Sequence, residues 1–128
     1  MKLLLDTHVA LWAIADSPRL TGAAREAILS PTSEIWISSA SVWEISIKHA
    51  LGRGDMPISS TQAVAWFRQA GYQFLPVAVE HAMAVEELPP HHGDPFDRLL
   101  VAQALIEPMR LVSHDAQVLR YGEHFIAA

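Results

Sequence analysis

Two hydrophobic rhythms alternate along the chain. "KLLL" at 2–5 is a short continuous apolar run, read as a buried strand. "EIWIS" at 34–38 alternates with period two and is rich in β-formers, so it reads as a second strand. "YQFLPV" (72–77), "RLVS" (110–113) and "HFI" (124–126) supply three more short strands, the last at an edge. Between them the spacing turns helical, over about 8–15, 17–30 with Thr21 as a cap, 39–52 closed by Gly52, and 59–71 ended by Gly71. Further helices are expected at 79–88, 95–107 and 115–122, with loops at 53–59 and 89–95. The helix "PFDRLLVAQALIE" is apolar almost all round and is therefore expected at the centre.

Strands separated by helices of this length imply right-handed crossovers. The expected fold class is α/β, a three-layer α/β/α arrangement with a mainly parallel, roughly five-stranded sheet, forming one domain over 1–128. In such sheets ligands bind outside the carboxyl ends of the strands. Asp6 ends the first strand and Asp115 follows the 110–113 strand by two residues, so both fall on that rim.

Composition narrows the class without deciding the function. The 128 residues are 51% hydrophobic and 18% charged, which suits a globular core and excludes a disordered chain. There is no cysteine, so disulfides and thiolate metal sites are excluded, in keeping with a reducing compartment. Asp6 and His8 interrupt the leucine-rich start, and no small-residue cleavage site follows, so the N-terminal strand is expected to belong to a cytoplasmic protein. No stretch approaches the roughly 18 apolar residues of a membrane span. The net charge of −5 argues mildly against a nucleic-acid partner, but two bound divalent cations would bring it to −1.

Two further acids sit in apolar surroundings. Glu44 lies among Val42, Trp43, Ile45 and Ile47, sharing a polar stripe with Ser41 and Lys48. Asp97 lies in the most apolar helix, and both acids are near helix N-termini. Capping accounts for each acid singly: Asp6 and Asp115 as N-caps, Ser41 with Glu44 as a capping box, and Asp94 with Asp97 flanking Pro95. The other reading is a hard-cation site, since carboxylates from several elements suit Mg²⁺ or Mn²⁺ and such ions act on phosphodiesters. On the residues alone both readings stay open.

"LLLDTHVALW", the lone Glu44 within "SASVWEISIKHALG", "DPFDRLLVAQAL" and "RLVSHDAQVL" together resemble the PIN-domain ribonucleases, within them the VapC-like toxins of bacterial toxin–antitoxin modules. The resemblance covers nearly the whole chain in order, and "DPFDRLLVAQA" with "LVSHD" is its most specific part. It implies an acidic metal site at Asp6, Glu44, Asp97 and Asp115, with supporting hydroxyls at Thr7 and Ser113. Asp94 matches an acid common in the "DPFD" form. It further implies Mg²⁺ or Mn²⁺ dependence, endonucleolytic cutting of RNA, a homodimer, and a cognate antitoxin whose tail covers the site.

Competing chemistries fit less well. An aspartyl phosphatase wants a second acid where His8 stands, and a receiver-like module needs a late lysine, whereas no lysine follows Lys48. Neither a nucleophile elbow nor a Gly-rich phosphate loop is present. A PIN-like module that binds RNA or a partner without cutting is the remaining alternative. His8, His91, His92 and His114 read as surface histidines or supports behind the acids, with His91 and His92 solvated in their Pro-rich loop. Trp12, Trp36, Trp43 and Trp66 read as core packing before RNA stacking. Lys48, Arg53 and Arg98 are candidate phosphate guides, against ion pairing as the bland reading.

Overall fold

Leu3, Leu4 and Leu5 are fully buried in β1 (Lys2–Leu5), and the strand's period of two sends them to opposite faces of a sheet. The computed structural model describes every residue from Met1 to Ala128. β2 (Glu34–Ser38) pairs with β1 in parallel, Leu3 opposite Ile35 and Leu5 opposite Ile37. β3 (Gln73–Leu75) extends the sheet beyond β2, while β4 (Arg110–Ser113) and β5 (Ile126–Ala127) add on the other side of β1. The order is β3-β2-β1-β4-β5, all parallel.

Helices cover both faces. α1 (Thr7–Ile14), α2 (Gly22–Leu29) and α4 (Ser60–Gln69) share a core with Leu3, Leu5, Ile35, Ile37 and Val112. On the opposite face Leu4 and Leu111 pack with Leu100, Val101 and Ala104 of α6 (Pro95–Ile106) and Val118 of α7 (Ala116–Leu119). α3 (Ser39–Ala50) leaves the end of β2 and contributes the buried Ile45. α5 (Val79–Ala84) runs on into a single 3₁₀ turn, Val85–Glu87. No helix is long and apolar enough to cross a membrane.

The α/β class, the parallel sheet and the five strands agree with the sequence reading, and the differences are local. The 17–30 helix begins only at Gly22, because Thr21 caps it by accepting from Ala24 N. The predicted 79–88 helix tightens to 3₁₀ at Val85, and 115–122 shrinks to one turn. Gly52 and Gly71 end α3 and α4 with φ of +69° and +84°, a conformation that disfavours any residue with a Cβ.

Connection of the sheet positions the site. After β1 the chain builds outward through β2 to β3, then crosses back to place β4 against the other edge of β1. Strand order therefore reverses between β1 and β4, and the crevice outside their carboxyl ends is where such a sheet accepts ligands. Asp6 leaves β1 there, with its backbone N–H donating to Val112 O at 3.0 Å.

Candidate active site

Four elements deliver acids to that crevice. Asp6 and Thr7 come from the β1–α1 junction, Glu44 from the second turn of α3, Asp94 and Asp97 from the start of α6, and Asp115 from the cap of α7. With His8, Lys48 and His114 they line one cavity of about 140 Å³ that has no hydrophobic side chain in its wall. Asp6 and Glu44 are only 4% and 5% exposed, and burial at that level is costly for a carboxylate without partners.

Capping turns out to involve half of a carboxylate. Asp6 Oδ1 accepts from Val9 N at 2.9 Å, and Asp115 Oδ1 accepts from Gln117 N at 2.8 Å. Their Oδ2 atoms bond no backbone N–H and instead face imidazoles, His114 Nδ1 3.5 Å from Asp6 and His92 Nε2 3.5 Å from Asp115. The cap and a cation ligand are compatible roles for one side chain. Asp94 is a cap in fuller measure, its Oδ1 accepting from Phe96 N and Asp97 N at 2.8 and 3.1 Å. The capping box expected at Ser41 and Glu44 does not form. Ser38 caps α3 through Ala40 N, which puts Ser41 and Glu44 inside the helix.

Glu44 is held at both oxygens. The Thr7 hydroxyl donates to Oε1 at 2.5 Å and lies 3.0 Å from Ser41 Oγ, while Lys48 Nζ donates to Oε2 at 2.5 Å. Lys48 is thus the i,i+4 partner of Glu44, and Thr7 supports an acid directly. Ser113 plays a lesser part, its hydroxyl accepting from Asp115 N at 3.1 Å.

Asp97 is the most perturbed acid. Burial pushes its carboxyl up to about 6, with the Asp94 and Asp6 charges adding to the rise and the hydrogen bond from His92 opposing it. His114 is raised above the ordinary imidazole value, chiefly by its bond to Asp6. Neighbouring carboxylates contribute to both shifts, as the first cause for His114 and behind burial for Asp97. The chemistry of the donors fits a hard divalent cation: carboxylate oxygens predominate, with the imidazoles of His92 and His114 beside them. His92 Nε2 and carboxylate oxygens of Asp97 and Asp115 lie within 4.8 Å of one another.

His92 corrects the sequence reading, which left it solvated. Its ring donates to Asp97 Oδ2 at 2.8 Å and its backbone N–H to Tyr121 Oη at 3.0 Å. No ligand spacing marks it, because the contact crosses from a loop to a helix turn five residues on. Arg98 is a second correction. It neither pairs with an acid nor faces the cleft, but donates to the carbonyls of Val85, Leu88, Pro89 and His92 and to Tyr121 Oη. Arg53 pairs with Asp55 at the surface. His91 packs edge-on to Tyr121 at 4.9 Å. Trp43 and Trp66 are exposed rather than core, Trp43 resting on Phe96 at 5.2 Å.

An α/β sheet with an acid-lined cleft at its strand-order reversal defines a class of protein, and sequence likeness narrows it. The sequence profile of the PIN domain matches residues 3–123, and this chain belongs to that family. It is 32% identical over 125 residues to ribonuclease VapC22 of Mycobacterium tuberculosis, covering 95% of this chain and 92% of that protein. Among solved structures it is similar in fold to a chain of VapBC2 from Rickettsia felis bound to a promoter DNA fragment. That match has a TM-score of 0.71, 17% identity, and covers 100% of this chain and 98% of the other. A chain of DNA-bound VapBC from Salmonella typhimurium gives a TM-score of 0.66 at 12% identity, over 100% and 97% of the two chains.

Proposed function

We propose that this protein is a divalent-metal-dependent endoribonuclease, the toxin of a toxin–antitoxin pair, with Asp6, Glu44, Asp97 and Asp115 as its metal-holding catalytic acids. The observation that carries the reading is the convergence of these four side chains, from four separate elements, in one wholly polar cavity at the strand-order reversal. The ribonuclease named among its relatives supports RNA as the substrate.

Mg²⁺ or Mn²⁺, when bound by these acids, supplies water activation and neutralises charge developing on the phosphodiester. The chain's own groups prepare the place. Thr7 and Lys48 fix the two oxygens of Glu44, and the caps on Asp6 and Asp115 leave one oxygen of each facing inward. His92 orients the carboxylate of Asp97. In the overall reaction water adds to phosphorus, one P–O ester bond breaks, and the products carry a phosphate and a hydroxyl terminus.

The same reading gives the protein a cytoplasmic place of work, a homodimeric state and a cognate antitoxin. VapB–VapC assemblies among its structural neighbours support the partner, and an acidic cleft favours a basic antitoxin side chain. The test is cleavage of a broad RNA panel by purified protein with Mg²⁺ or Mn²⁺ and with chelator, beside identically prepared, folded Asp6→Ala and Asp97→Ala. Metal-dependent cutting lost in both variants supports the assignment. Cutting that survives in both overturns it, and a protein that binds RNA but never cuts favours the binding-only module.

A further inference from the structure

One wall of the acidic cavity continues outward as a strip of rings. His8 and His114 both line the cavity. Their centroids are 5.6 Å apart at 76°, and His114 lies 5.1 Å from Trp12 at 59°. Trp12 and His8 are 6.4 Å apart at 49°. The Arg19 guanidinium sits 5.8 Å over the Trp12 ring.

Core packing alone does not explain the arrangement. Trp12 is partly buried and packs against the core, but His114 and Arg19 are exposed. The rings meet tilted or edge-on and not in parallel stacks, and the exposed Arg19 guanidinium is what lies over the Trp12 ring. Phe67 and Tyr72, within the core, instead stack at 22°. A tilted aromatic strip ending in a guanidinium, starting at the cavity wall, offers what a single-stranded nucleic acid needs: π-faces for bases and a cation for the backbone.

We propose that Trp12, with His114 and Arg19, forms a stacking subsite for one unpaired base next to the scissile phosphate. The base takes the place of the Arg19 guanidinium over the Trp12 ring, and the exposed Arg19 side chain turns to the backbone phosphate. The inference rests on the ribonuclease reading and deepens it: the substrate is held single-stranded on the α1 side of the cleft. Stacking of this kind tolerates any base, so the subsite supplies register and affinity more than sequence choice.

The experiment uses an RNA that the wild-type protein cuts, resynthesised with a single abasic ribose at each position around the cut. One abasic position should raise KM by about 5- to 150-fold, the range for loss of one base–aromatic stack. Trp12→Ala should raise KM on intact RNA by a similar factor and remove the penalty of that abasic position, while Trp12→Phe keeps most of the affinity. Arg19→Ala, at an exposed position, should lower the salt dependence of log KM by about 0.7. No sensitive abasic position in the wild type, or a folded Trp12→Ala with unchanged KM, overturns the subsite and leaves the nuclease standing. If Trp12→Ala does not fold, the abasic scan and Arg19→Ala decide. A wild-type protein that cuts no RNA overturns both readings.

Discussion

Replacing Asp97 by Asn should make the metal-free protein more stable while abolishing its cleavage. Asp97 is raised from 3.8 to about 6 in the fold, so its ionised form is disfavoured there by about two pH units. That corresponds to about 3 kcal/mol at pH 7.5. The side chain is 24% exposed, and solvent screening trims the figure to roughly 1–2 kcal/mol. Loss of a first-turn charge at the N-terminus of α6 returns about 0.5 kcal/mol. The amide oxygen can still accept from His92, leaving a net gain of about 1 kcal/mol, or about 3–5 °C in Tm. The sign with pH follows from linkage. Below 3.8 the wild-type carboxyl is protonated whether folded or unfolded, and the variant has no charge advantage. Its advantage grows as pH rises and is complete above about 6. Thermal melts in chelator at pH 4 and pH 7.5 test this, and millimolar Mg²⁺ should then raise the wild-type Tm but not the variant's. A variant less stable than wild type at pH 7.5 in chelator, or equally advantaged at pH 4, would refute the electrostatic account.

Three other outcomes follow from the same geometry. Thr7→Val removes the only hydroxyl donated to Glu44 Oε1 and should cost about 1.5–3 kcal/mol in urea unfolding, with Thr7→Ser close to wild type. Divalent-ion affinity measured by titration calorimetry should fall about tenfold per pH unit below about 6, since Asp97 must lose its proton to bind. A flat profile between pH 5 and 7 would count against Asp97 as a ligand. Arg98→Ala strips a partner from four carbonyls and should speed hydrogen exchange across residues 85–93 while destabilising the fold by about 2–3 kcal/mol. Arg98→Lys should not restore it, because one ammonium cannot span the same acceptors.

The strands were legible because buried parallel strands leave short apolar runs, and Leu3, Leu4 and Leu5 fill both cores in turn. Asp6, Glu44, Asp97 and Asp115 were legible as anomalies, acids at strand ends or in apolar helices, and the fold gathers them. What periodicity does not carry is the orientation of a helix toward its neighbours. Trp43 sits among apolar residues in sequence, yet α3 turns it outward and turns Glu44 inward. The cap read at Ser41 falls three residues earlier, at Ser38, which places Ser41 and Glu44 within the helix. His92 and Arg98 act through contacts made by the folding of the 85–94 loop over α6, and no spacing rule encodes a loop's path. Capping and cation binding are not exclusive at Asp6 and Asp115, since a carboxylate has two oxygens and the cap uses one.

The strand order has a consequence for when the cleft can exist. Asp6 is among the first residues, but the neighbour that completes its surroundings, β4, pairs with β1 only after about a hundred residues have intervened. Asp115 follows β4, so a chain cut short before it carries three of the acids and lacks the wall that aligns them. Closing so long a loop is entropically slow, and no local segment can rehearse the geometry beforehand. The acidic cleft is therefore a late product of folding. On the ribonuclease reading, a partly synthesised or partly unfolded chain would leave RNA untouched, and catalysis would report on the integrity of the whole sheet.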